Sequence, residues 1–134
     1  MRSFEVFTPA TPEATWPLLA RPARWHEWAP HLGGAWGLGE PEVEAGRLGA
    51  ARLFGAVPVP ARITGKTDGR DWTWQVGPVR MCHRVTSRPD GAAIGIDVAA
   101  PGPLEAVVAA AYGPVICWAL RRLAARAADG QPSV

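Results

Sequence analysis

The last third of the chain, Gly102 to Asp129, reads as one long helix carrying apolar residues on nearly every side. Pro103 and Glu105 suit its first turn, and Arg121, Arg122 and Arg126 before Gly130 suit its end, as the helix dipole and C-capping prefer. No charge interrupts Ala106 to Leu120, a run of 15 residues, which is short of the roughly twenty that a membrane span needs. Burial inside a soluble domain is the expectation, with no membrane span. A helix without a polar face has to be covered on several sides, and the segments before it read mostly as strand and turn. That combination predicts a curved sheet gripping one helix, with room for a cavity between the two.

The rest of the chain fits this expectation. Ser3 to Thr8 alternates as a strand and stops at Pro9. Thr11, Pro12 and Glu13 are an N-cap, a first-turn proline and a first-turn acid, opening a helix to about Ala20 that Pro17 shortens or kinks. A second short helix, Ala23 to Trp28, places Trp25 and Trp28 on one face and closes at Ala29-Pro30. Six strands are then expected: Ala35–Glu40, Arg47–Phe54, Val57–Lys66, Asp71–Val76, Val79–Thr86 and Ala93–Ala99. Reversals at Thr67-Asp68-Gly69, Gly77-Pro78 and Pro89-Asp90-Gly91 make the last four a meander. The whole is an α+β arrangement of seven antiparallel strands and a long C-terminal helix, a single domain over residues 1–130 with a loose tail at 131–134.

Strand alternation selects the side chains facing the helix. Trp72, Trp74 and Val76 share one face, as do Val79, Met81, His83 and Val85, and Ile94, Ile96 and Val98 continue it. Arg70, Thr73, Gln75, Arg80, Arg84 and Asp97 fall on the opposite, solvated face. Seven tryptophans in 134 residues must serve as core, pocket or both. His83 is the one titratable group on the inward face.

Several chemistries lack their residues. Cys82 and Cys117 have no metal or redox spacing and read as small buried hydrophobes. His26 and His31 are five apart with Pro30 between them, which spoils a helical metal pair, so no metal is expected. Gly33-Gly34, Gly37 and Gly39 precede no helix with a phosphate-binding lysine. Ser3, Ser87 and Ser133 occupy no nucleophile elbow. Glu40, Glu42 and Glu44 read as a solvated edge, and the arginines are scattered instead of forming a nucleic-acid patch. The start Met1-Arg2-Ser3-Phe4-Glu5 has no secretory core, which gives a cytoplasmic expectation. His83, Tyr112 and Arg62 are left as polar groups able to meet a ligand inside.

The order strand, two short helices, six strands and long helix resembles the START-like (SRPBCC) superfamily. The resemblance is carried by Thr11 to Trp16, by Ala23-Arg24-Trp25-His26-Glu27-Trp28-Ala29-Pro30, by Trp72-Thr73-Trp74, by His83-Arg84-Val85 and by the closing helix. It is nearest to the polyketide cyclase and dehydrase-like branch. These are framework positions, so what the resemblance implies is chiefly the fold: a helix-grip domain enclosing an apolar tunnel, with no cofactor. Pro17 and Gly113-Pro114 depart from the usual pattern, the latter expected to kink the helix or to form a gate beside Tyr112.

Three functions follow in order of preference. The first is binding of a small apolar ligand (lipid, polyketide or aromatic) by Trp72, Trp74, Met81, His83, Ile94, Ile96, Tyr112 and Trp118, in a monomer or homodimer. The second is cyclase or dehydratase-type catalysis with His83 or Tyr112 as acid or base. The third is a protein-interaction module displaying Trp25 and Trp28.

Overall fold

The computed structural model describes residues 1–29, 31–53 and 57–129. Pro30, Phe54 and the tail from Gly130 onward, all used above as element ends, lie outside the described residues. Seven strands form one antiparallel sheet in the order β1-β7-β6-β5-β4-β3-β2. They are β1 (Arg2–Thr8), β2 (Leu32–Trp36), β3 (Leu48–Leu53), β4 (Val57–Thr67), β5 (Asp71–Val76), β6 (Val79–Arg88) and β7 (Gly91–Ala99). Between β1 and β2 lie α1 (Pro12–Ala20) and a short 3-10 helix (Pro22–Glu27); α2 (Leu104–Asp129) closes the chain. This is the helix-grip fold expected above.

Local chemistry explains most boundaries. The Thr11 hydroxyl accepts the Ala14 N–H at 3.1 Å, capping α1, which runs through Pro17 to Ala20. The second helix is a tighter 3-10 segment opening at Pro22. The strand expected at Ala35–Glu40 is instead Leu32–Trp36, because Leu32 to Trp36 pair with Ala50 to Leu53 whereas Gly37 and Gly39 turn away at φ 76° and 126°. The hairpin register is otherwise regular: Trp72 faces His83 and Trp74 faces Met81 across β5 and β6.

The helix α2 corrects the expectation that it would be covered on several sides. Gly113, Ile116, Ala119, Leu120, Leu123, Ala124 and Ala127 are buried, packed against the sheet and the two short helices. The opposite side is open: Val107 is 59% exposed and Trp118 43%. By length and composition α2 would suffice to cross a bilayer, and only 22% of its most apolar stretch is buried. Its buried row packs against the sheet and the short helices, while the rest of that stretch is uncovered. The Thr8 hydroxyl, fully buried, donates to the Ala124 carbonyl at 2.9 Å and so ties β1 to the second half of α2.

At Gly113 the absence of a side chain has a direct packing reason. A Cβ there would sit 3.1 Å from the Phe4 ring of β1, and α2 continues through Pro114 as one helix. Gly113→Ala is expected to change stability by less than about 1 kcal/mol, since gained helix propensity offsets the close approach. Gly113→Val, adding two methyls at that contact, is expected to lose about 1–3 kcal/mol in urea unfolding.

On the outer face Arg84 forms ion pairs with Asp97 at 3.0 Å and Glu5 at 2.7 Å, linking β6, β7 and β1 as the solvated-face reading requires. Glu42 departs from the solvated edge assigned to it: it accepts the Trp16 indole N–H at 3.1 Å and pairs with Lys66 at 3.0 Å. Cys82 and Cys117 are free and only half-buried.

Candidate functional site

Where the concave side of the sheet faces the 3-10 helix and α2, aromatic rings meet. Trp72 stacks on Trp25 with centroids 5.3 Å apart and on His83 at 3.8 Å, the planes within 13° and 10° of parallel. Trp74 stands across this stack, at 82° to Trp25, 88° to Trp72 and 85° to His83, with each centroid between 5.5 and 5.6 Å away. Parallel and edge-on contacts of this kind are the two arrangements that aromatic quadrupoles favour.

The indole donors fix the stack to α1. Trp25 and Trp72 both donate to the Leu19 carbonyl, at 2.9 and 3.1 Å, and Trp28 donates to the Leu18 carbonyl at 2.8 Å. Those carbonyls belong to the last turn of α1, where a helix has no further N–H to offer them. Three tryptophans from the 3-10 helix and β5 thus complete the helix end. Trp74 differs: its indole N–H is buried and meets no acceptor among the described residues.

Beside the stack is a cavity of about 50 Å3, partly open to solvent. Its walls include Trp25, Trp28, Trp72, Trp74, Met81, His83, Ile96, Tyr112 and Ile116, and among the described residues no Asp, Glu, Lys or Arg lines it. His31 and Tyr112 also line it, in edge-on contact at 5.8 Å. His83 is 4% exposed, and its Nδ1 lies 3.4 Å from the Trp72 carbonyl. Burial pushes its pKa from 6.5 down to about 3, against weaker opposing effects of that carbonyl and of Asp97. Burial also lowers the pKa of His31 and raises that of Tyr112 to about 12. All three rings are therefore uncharged near neutrality.

Of the residues expected to bind a ligand, the structure brings Trp72, Trp74, Met81, His83, Ile96 and Tyr112 to this cavity. Two others are placed elsewhere. Ile94 is fully buried in the core away from the cavity walls, and Trp118 points outward under Arg122 at 5.6 Å. Tyr112, Ile116 and Ala119 occupy the inward stripe of α2, and Trp118 is about 200° round the helix from Ile116. Arg62 is exposed. Trp25 and Trp28, offered as a docking face, are 2% and 4% exposed and line the cavity, which removes the protein-interaction reading built on them. The sequence reading did not place these two, or His31, at the site. The available signal was chemical: indole donors soon after a helix end can turn back to its last carbonyls, here six and ten residues before them. Among the described residues no group of three metal-ligating side chains occurs.

A seven-stranded sheet wrapped against one long helix, with two short helices after the first strand, defines a helix-grip protein. The chain belongs to the family described as polyketide cyclase/dehydrase and lipid transport, which it matches over residues 1–128. No curated protein matches it in sequence. Solved structures share its fold. The protein MLL2253 of Mesorhizobium loti superposes with a TM-score of 0.78 at 12% identity, covering 98% of both chains. SSP2350 of Staphylococcus saprophyticus gives 0.76 at 10% identity, covering 98% of this chain and 94% of that one. DynU16, a putative protein of the dynemicin biosynthetic locus, gives 0.74 at 17% identity, covering 97% of this chain and 48% of that one.

Proposed function

We propose that this chain binds a small, uncharged, apolar molecule in the cavity between the Trp72–Trp74 strand and α2. The observation that carries the reading is the cavity wall itself: aromatic and aliphatic side chains, with no ionised group among the described residues that line it. Membership of a family whose description includes lipid transport supports it. The size of the hollow limits it. About 50 Å3 is well below the roughly 300–1,000 Å3 of drug-sized ligand sites, so a lipid chain does not fit without rearrangement. A guest of a few heavy atoms fits as the walls stand. A larger one requires Met81, with its several rotatable bonds, or the His31–Tyr112 pair to move aside.

Binding is favoured over acid–base catalysis by the same surroundings. A catalytic acid or base works best with a pKa near the operating pH, whereas His83 is held near 3 and Tyr112 near 12. Neither is poised to exchange a proton at neutral pH. Native mass spectrometry of protein purified from its host should show an added mass that organic solvent removes, and that molecule should quench tryptophan fluorescence on re-addition. Protein that carries no adduct and gives no saturable quenching with small neutral aromatics and ketones would sink the reading.

A further inference from the structure

Trp74 is 8% exposed and lines the cavity, yet its N–H is the one indole donor among the buried tryptophans without an acceptor. Trp16, Trp25, Trp28 and Trp72 each donate to a carbonyl or carboxylate within 3.1 Å. Burying a donor without a partner carries the full cost of its lost hydration, so such groups are few in native interiors and each calls for a partner or a role.

We infer that the ligand of this cavity is a neutral compound bearing a carbonyl-type oxygen, whose lone pair accepts the Trp74 Nε1 hydrogen while its apolar body lies against the surrounding rings. The inference rests on the binding reading above and sharpens it to a chemical class. A carboxylate or phosphate is excluded by the absence of any Lys or Arg in the lining, and an ammonium by the absence of any Asp or Glu. A pure hydrocarbon would fill the space and leave the donor unpaired. His83 sits edge-on to Trp74 at 5.6 Å with its charge suppressed by burial, so it adds no cation that would draw an anionic oxygen instead.

The test uses two probes of the same shape, cyclopentanone and methylcyclopentane, and follows the indole 15N–1H resonances of the full chain. The Trp74 resonance is assigned by its loss in Trp74→Phe, a substitution that keeps an aromatic ring and removes the donor. The ketone should move that N–H proton downfield. The ratio of ketone to hydrocarbon affinity should be about tenfold higher in the unaltered protein than in Trp74→Phe, a comparison in which the two probes' own hydration cancels. The same ketone-to-hydrocarbon affinity ratio in Trp74→Phe as in the unaltered protein, or a ketone that shifts every pocket resonance except the Trp74 N–H, would overturn the assignment of ligand class while leaving a binding cavity in place. Binding of neither probe would overturn the binding reading and this inference together. Nuclear Overhauser contacts in the unaltered protein assign the Trp74 indole resonance independently, so poor folding of Trp74→Phe would not spare the claim.

Discussion

Trp72→Ala is expected to lower the unfolding free energy by about 4 kcal/mol, toward the upper end of the usual range for a large buried aromatic. Trp72 is 1% exposed, lies against both Trp25 and His83, and donates to Leu19. Truncation removes three ring contacts, to Trp25, Trp74 and His83, and one hydrogen bond, and opens a void that the rigid neighbours cannot fill. For a domain of this size the loss corresponds to a fall in Tm of about 12–20 °C. Trp72→Phe separates the contributions: it keeps most of the stacking and removes the indole donor, while Leu19 retains the Trp25 N–H. A loss of about 1–2 kcal/mol is expected there. Urea unfolding of both variants measures the pair. A Trp72→Ala loss under about 1 kcal/mol would mean that the ring stack is not formed in solution.

Acidification should unfold the protein through His83. The unfolded chain takes up a proton near pH 6.5, whereas the folded chain resists until about pH 3 because burial disfavours the charged ring. A depressed histidine pKa therefore contributes its full stability above pH 6.5 and loses it as pH falls, at about 1.4 kcal/mol per pH unit for one proton. His31, lowered by burial as well, acts in the same direction. Carboxylates join only further down: Glu27, held near 2 by its bond to Arg24, and Asp97, lowered by Arg84 in spite of burial, contribute stability that declines below their unfolded pKa values of 4.5 and 3.8. The interval from pH 6.5 to 5 thus isolates the histidines. Chemical denaturation across that interval should show a steep fall for the natural chain and, in His83→Gln, a slope shallower by about one proton. An identical slope in the variant would place the titrating group elsewhere.

How far the sequence could be read depends on which residues are asked about. The meander from Val57 to Ala99 is legible because its turns have residues with a steric reason to be there, and β5 has the bounds expected of it. The inward row of Trp72, Trp74, Met81, His83 and Ile96 follows from alternation alone. Three things escape such reading for distinct reasons. The segment Leu32–Trp36 becomes a strand by pairing with β3, a long-range contact that its glycines do not advertise. The phase of α2 is hidden because alanine and valine occupy its outer side as well as its inner one, so Trp118 could be assigned inward although Tyr112, Ile116 and Ala119 define the other side. The cavity's volume depends on how four large rings nest, and alternation reports which side a ring is on without reporting the space it fills.

The shared acceptor at Leu19 has a mechanical corollary. A single peptide oxygen receives one donor from Trp25 in the 3-10 helix and one from Trp72 in the middle of the sheet, so those two walls are pinned to a common point. A guest that wedges them apart must break one of the two bonds or drag the tip of the first helix along. Occupancy inside would therefore be felt at the exposed Arg21, just past the end of that helix, as a tug on the backbone instead of a change in side-chain packing alone.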